Sequence, residues 1–264
     1  MTHNTQTLLT RITQSIEELA QATDHTQQSA SLQQYLDYCA RFHRYSLHNI
    51  CLILLHDPQA SQVAGYRAWQ ALGRQVRKGE CGIPILAPTF RKEENEHGEK
   101  EQYLTGFRTV YVFDIRQTEG EPLPEAPEWR SLAKDADLEQ ALYQYARMNN
   151  IHVEVKAFRD DTQGASFGGR IQLAPGAGTK TLIHELAHEL LHQPHSSLPV
   201  ALMECEAEGV AYVVAKHCQL SELRCPTYLA LHGLEAKDIL AYLERIRSTS
   251  AQLITYLTQV VGHA

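Results

Sequence analysis

Leu182-Ile183-His184-Glu185-Leu186-Ala187-His188-Glu189-Leu190-Leu191 is the stretch on which the reading of this chain turns. Apolar residues recur there at the three-and-four spacing of a helix that buries one face. His184-Glu185-Leu186-Ala187-His188 is an H-E-x-x-H pattern. Side chains four apart stand on one helix face, so both imidazoles can reach a single zinc ion at about 2.0–2.1 Å. Glu185 then lies beside the ion without ligating it, placed to take a proton from a water that attacks a carbonyl and to return it to a leaving amine. With 14 histidines and 22 glutamates in the chain, a chance match is expected roughly 0.06 times. Context therefore has to decide.

A catalytic zinc site takes a third protein ligand and keeps one position open. About twenty residues on, Glu204-Cys-Glu-Ala-Glu-Gly-Val-Ala-Tyr offers three acids, Glu204, Glu206 and Glu208, at the entrance to an otherwise apolar helix. A helix dipole favouring carboxylates in a first turn is the plainer account of one or two of them. Before the motif, Arg170-Ile-Gln-Leu-Ala alternates like an exposed edge strand able to pair with an extended peptide, or like an ordinary sheet strand. His192 continues the four-residue ladder but lacks the glycine turn of a metzincin, and reads as a helix-end residue rather than a ligand. His195 is a looser candidate for stabilising a transition state. Gly176-Ala-Gly-Thr-Lys-Thr does not satisfy the phosphate-loop pattern and reads as a cap to the motif helix.

Outward from the motif, 264 residues with 43% hydrophobic content suffice for one large domain or two ordinary ones. No apolar run approaches a membrane span, and the N-terminus lacks a signal-peptide pattern, so the expectation is a cytoplasmic protein with no membrane partner. Six scattered cysteines without a C-x-x-C pair disfavour a zinc ribbon or a disulfide framework. Two amphipathic helices open the chain, and a third is expected from Ser46 to about Leu55, where Asp57-Pro58 stops it. Strands are expected at Ile83–Ala87 and Phe107–Phe113, with Arg91–Glu101 as a charged hairpin tip or loop. The acidic, proline-rich stretch from Gln117 to Glu128 reads as a linker, giving domains of residues 1–125 and 126–264. Beyond it a helix (137–148), a strand (151–155), a glycine-rich bend, a strand (170–173) and three further helices follow.

The formal net charge is −7, but from Arg41 to Lys92 eight basic residues face two acidic ones, leaving −13 elsewhere. Phe42, Tyr45, Tyr66 and Trp69 interleave with these charges. Cations that follow phosphates and rings that stack on bases make a single-strand groove, whereas a solvated basic face beside core aromatics looks the same in sequence.

Four stretches carry a family resemblance: Tyr45-Ser-Leu-His-Asn, Val63-Ala-Gly-Tyr-Arg-Ala-Trp-Gln-Ala-Leu-Gly-Arg, Arg77-Lys-Gly-Glu-Cys-Gly-Ile-Pro-Ile-Leu-Ala-Pro and Val112-Phe-Asp-Ile-Arg-Gln-Thr-Glu-Gly. Through them the first half resembles the N-terminal single-stranded-DNA-binding domain of ArdC-type antirestriction proteins of plasmids and other mobile elements. The second half, through His184–His188, Glu204–Val214 and Leu243-Glu-Arg-Ile-Arg-Ser-Thr, is similar to the zincin-like metallopeptidase domain that accompanies it, related to ImmA/IrrE-type peptidases. The resemblance implies an α+β protein: an α+β DNA-binding domain, then a mostly helical gluzincin-like domain with a small sheet. It implies one Zn2+ or another divalent ion held by His184, His188 and a glutamate of the second helix, Glu206 by preference with Glu204 in reserve, and Glu185 as the catalytic residue. The DNA contacts it suggests are Arg67, Trp69, Arg74, Arg77 and Lys78. Partners would be single-stranded DNA and a protein or peptide substrate, in the protection of incoming mobile DNA. The chain departs from the pattern in its short connection between the two site helices and its acidic total charge. Two other functions fit the same residues: a DNA-coating module with a structural or idle metal site, and a DNA-associated protease that cleaves a repressor.

Overall fold

The computed structural model describes residues 4–21, 25–94, 100–123, 132–192, 198–220 and 234–261. Two compact units make up this α+β protein, one of Met1–Ile16 with Tyr45–Pro124 and the other of Glu17–Arg44 with Glu125–Ala264. Helix α1 (Thr5–Gln21) begins the chain, and α2 (His25–Arg41), expected in the first domain, packs against helices of the second unit. The first unit's longer stretch ends at Pro124.

In the first unit, α3 (Leu47–His56) starts at Ser46, whose side chain accepts a hydrogen bond from the Asn49 amide. Ile50, Leu52 and Ile53 of α3 are buried against strand β3 (Ile83–Glu94). Asn49 acts as a piece of strand: its side-chain oxygen accepts from Leu86 N at 2.8 Å and its amide donates to Leu86 O at 2.9 Å. Strand β3 pairs antiparallel with β4 (Lys100–Asp114), and β4 pairs on its other edge with β1 (Val63–Gly65), giving the order β1-β4-β3. Arg91–Glu94 and Lys100–Glu101 belong to these strands, which extend further into the charged stretch than its composition suggests. A short helix α4 (Tyr66–Ala71) leads to β2 (Arg74–Val76), which pairs with β5 (Thr118–Gly120). At the end of β4 the fully buried Asp114 accepts from the amides of Ser61, Gln62 and Arg116, fixing the corner toward β5.

In the second unit, α5 (Leu132–Met148) precedes a three-stranded sheet of order β6-β8-β7. β6 (His152–Val155) runs parallel to β8 (Arg170–Leu173), and β7 (Gly164–Ser166) runs antiparallel to it. The central strand is therefore β8; the edge beside the motif helix is β7, a strand hidden in the glycine-rich bend. Helices α6 (Thr179–Leu191), α7 (Val200–His217) and α8 (Ala236–Val261) complete the unit. Leu182, Ile183 and Leu186 of α6 are fully buried. Three such side chains contribute about 5–9 kcal/mol at most, and their burial fixes the rotation that turns the histidines toward α7. Among the described residues, no helix is long and apolar enough to cross a membrane.

Candidate functional site

Helical spacing delivers what the motif promises. His184 and His188 face each other with Nε2 atoms 3.0 Å apart. From α7, Glu204 reaches the same point, with Oε2 at 3.4 Å from His184 Nε2 and Oε1 at 3.4 Å from His188 Nε2. Ligand atoms of a tetrahedral ion bound at ~2.0–2.2 Å stand ~3.3–3.6 Å apart, so the carboxylate–imidazole distances match one divalent cation, and the 3.0 Å between the imidazoles would have to open slightly to admit it. Burial, with the neighbouring His184, pulls His188 down to about 4, which keeps it in the neutral form that ligates. Burial opposes protonation of His184 too, but Glu208, Glu185 and Glu204 outweigh it and raise its pKa.

The third member of the cluster is Glu204, and not the preferred Glu206. Along a helix, residues four apart share a face, whereas a step of two lands on nearly the opposite one. Glu204 and Glu208 accordingly both face α6. Glu208 Oε2 lies 3.3 Å from His184 Nδ1 while Oε1 lies 2.5 Å from Lys180 Nζ, a carboxylate that orients one imidazole and is itself neutralised. Glu206, 0% exposed, accepts from Arg245 of α8 and lies 2.9 Å from His192 Nε2. None of the three acids sits in the first turn of α7, so the helix dipole does not explain them. His192 caps α6 and stands outside the converging donors.

Glu185 is 7% exposed beside the two imidazoles. Burial raises its pKa to about 7, Glu204 and Glu189 add to the effect, and His184 opposes it. Its carboxylate lies against β7: a Cβ on Gly164 would stand 2.7 Å from Glu185 Oε1 and 2.8 Å from Thr181 Cγ2, so only glycine fits. The following turn is tied to the same helix, since Glu189 accepts from the amides of Phe167 (3.0 Å), Gly168 (2.9 Å) and Gly169 (2.5 Å). A cavity of ≈ 780 Å³ opens here between β7 and the ligand face of α6, lined also by Met203 and Glu204 of α7. His195 lies outside the described residues. The supporting residues Gly164, Lys180, Glu189 and Arg245 escape motif reading because each acts through a neighbour that only the fold supplies.

The residues proposed for nucleic acid divide in the first unit. Trp69 is 2% exposed, with its Nε1 donating to Phe113 O at 2.8 Å, so it is a core residue and cannot stack on a base. Arg74 spends its guanidinium on Thr118 Oγ1 (2.9 Å) and on the carbonyls of Thr118, Gly120 and Glu121, closing β2 against β5. Arg77 is exposed and paired with Glu80 at 2.7 Å; Arg67 and Lys78 are exposed. Arg77 and Lys78 line a cavity of ≈ 610 Å³ with Tyr66, Gln75, Phe113 and Glu119. Tyr66 is exposed at 42%, and further exposed rings lie on the hairpin. Phe107 (51%) and Tyr111 (42%) alternate along β4, Phe107 pairs with Pro88, and Phe90 (54%) follows two residues later on β3. Strand alternation thus sets three exposed aromatics along one face of the hairpin. The odd-numbered period of Phe107, Thr109, Tyr111 and Phe113 was the available signal.

Residues 2–113 match the family model described as the N-terminal domain of anti-restriction factor ArdC. The chain carries that domain at its N-terminal end. Its similarity to crystal structures of the ArdC protein of plasmid R388 agrees: the metal-free form is 20% identical, with a TM-score of 0.53 over 83% of this chain and 86% of that one. That likeness extends the shared fold beyond the matched domain. The form described as Mn(II)-bound is 17% identical, with a TM-score of 0.48 over 98% and 96% of the two chains. The uncharacterized protein pXO2-81 of Bacillus anthracis is 25% identical over 86% of this chain. This chain spans about half the length of that relative, 47% of it.

Proposed function

We propose that this ArdC-type chain binds single-stranded DNA through its first unit and hydrolyses peptide bonds at a metal centre in its second, as an antirestriction factor for mobile DNA. One observation carries the reading: His184, His188 and Glu204 converge in ligand geometry at the mouth of a cavity that also holds a buried Glu185. A divalent ion in that donor set, zinc by preference, would supply Lewis-acid polarisation of a peptide carbonyl. The remaining work falls to the chain. β7 has one edge paired with β8, and its other side borders the cavity, where an extended peptide can add as a strand. Glu185 takes a proton from the water whose oxygen bonds to the carbonyl carbon. It then gives that proton to the amine nitrogen as the carbon–nitrogen bond breaks. For DNA, the rings of Phe90, Phe107 and Tyr111 offer stacking surfaces, and the exposed Arg67 and Lys78 offer cations.

Glu185→Gln tests the two halves together. It should leave ion uptake and oligonucleotide binding unchanged while abolishing cleavage of a peptide library. If cleavage persists, Glu185 is not the proton carrier; if plasmid protection survives loss of cleavage, hydrolysis is separate from antirestriction. Oligonucleotide affinity should fall with rising salt, and a flat response would refute phosphate contacts.

A further inference from the structure

We propose that Glu206, Arg245 and His192 form a positioning relay that holds His188 in the one tautomer able to bind a metal ion. The inference rests on the metal-centre reading and assigns work to three residues outside the ligand set. A neutral imidazole carries one hydrogen, so ligation through His188 Nε2 requires that hydrogen on Nδ1. The acceptor in place is His192 Nδ1, at 3.0 Å. To accept there, His192 must carry its own hydrogen on Nε2, which lies 2.9 Å from Glu206 Oε2. The other Glu206 oxygen is held by Arg245, with Nε at 2.6 Å and Nη2 also in contact. With that oxygen engaged by the guanidinium, Glu206 Oε2 faces His192 Nε2 as acceptor, and His192 Nδ1 is left to accept from His188 Nδ1.

Burial makes the relay more than incidental. The side chains of Glu206 and His192 are 0% and 6% exposed, so water does not compete with these bonds; only Arg245, at 43%, opens to solvent. The reverse tautomer would direct a hydrogen from His188 Nε2 toward His184 Nε2, into the space between the two imidazoles that an ion would need. Helix α8, distant in sequence, thereby prepares a ligand on α6. The two imidazoles are supported independently, since His184 has its own carboxylate in Glu208. Loss of an outer partner of this kind typically costs 10- to 100-fold in metal affinity.

The test strips the full-length protein of metal with a chelator and titrates it calorimetrically with Zn2+ and with Mn2+. Arg245→Met and His192→Phe should each weaken uptake about 10- to 100-fold, with Arg245→Lys recovering part of the loss. Affinity unchanged in folded Arg245→Met and His192→Phe proteins would overturn the relay. Long-range nitrogen-15 NMR of the metal-free wild type at pH 8 supplies a readout that general destabilisation does not move. The expected result is hydrogen on Nδ1 of His188 and on Nε2 of His192; hydrogen on His188 Nε2 refutes the proposal, whether or not the variants fold. A wild type that takes up neither ion while showing the expected tautomers would defeat the metal-centre reading and leave the relay standing.

Discussion

Gly209 of α7 lies where the helix meets α8, and an added Cβ there would stand 2.6 Å from Ile246 Cδ1, 3.2 Å from Cγ1 and 3.4 Å from Cγ2. Gly209→Ala should gain about 1 kcal/mol of helix propensity and lose about 1–3 kcal/mol to overpacking, for a net loss of about 1 kcal/mol. Ile246 is fully buried, so Ile246→Val alone should cost about 0.5–1.5 kcal/mol for the methyl it removes. The atom removed is the one that clashes. In the double variant the methyl in effect moves from residue 246 to residue 209, the hole and the clash disappear together, and the propensity gain remains. The cycle should therefore show a favourable coupling of about 2 kcal/mol, with the double variant at or slightly above wild-type stability. Denaturant unfolding of the metal-free protein measures each corner, and the Gly209→Ala loss should appear as a fall of about 2–4 °C in melting temperature. Additive effects would refute the reasoning, because they would mean that residue 209 does not meet the Ile246 terminus.

Gly164→Ala should push the Glu185 carboxylate about 0.7 Å from its place, since the new contact of 2.7 Å must relax to an ordinary one. Peptide hydrolysis should fall on the order of 100-fold while calorimetric ion affinity stays within a few-fold, and retained hydrolysis would remove Gly164 from the site. Phe107→Ala and Tyr111→Ala should each weaken oligonucleotide binding by about 1–3 kcal/mol in anisotropy titrations without changing the melting temperature. Trp69→Phe should do the opposite, costing about 1–3 kcal/mol of stability by removing the donor to Phe113 O and leaving the salt dependence of binding unchanged. His43 is drawn down to about 4 by burial, by His217 and by Arg44, and His217 is lowered by burial and Arg44. A base whose folded pKa is depressed binds fewer protons folded than unfolded, so its stabilising contribution is complete above about 6.5 and is lost as pH falls toward 4. His43→Phe should flatten the drop in melting temperature between pH 7 and pH 5, and an unchanged slope would exclude this source.

Local patterning made α6 legible, because the histidine spacing and the apolar spacing describe the same helix face. Ser46 marked the start of α3 for an equally local reason, a hydroxyl bonded to an amide three residues on. The third member of the cluster was another matter. Glu204, Glu206 and Glu208 are interchangeable as letters, and the choice between them is a matter of helix phase relative to α6 and α8. Trp69 misled because a six-residue helix gives too little periodicity to show which side of it is buried. Arg74 misled because its charge is spent on carbonyls of a strand more than forty residues away. β7 is Gly-Ala-Ser, with no strand preference of its own, and exists through its pairing with β8. The grouping of α2 with the second unit likewise depends on contacts such as Tyr212 Oη donating to Asp37 at 2.6 Å, which no window of sequence contains.

His184, Glu185, His188, Glu189 and His192 occupy under three turns of one helix, and every one of them has a separate engagement outside it. Removing a single residue between His184 and His192 would swing everything beyond the cut by about 100° around the axis. Convergence of the imidazoles on Glu204, anchorage of the strand turn and contact with α8 would then vanish in one event. Such a segment tolerates exchange of letters far better than any change of length, and its descendants should vary by substitution alone.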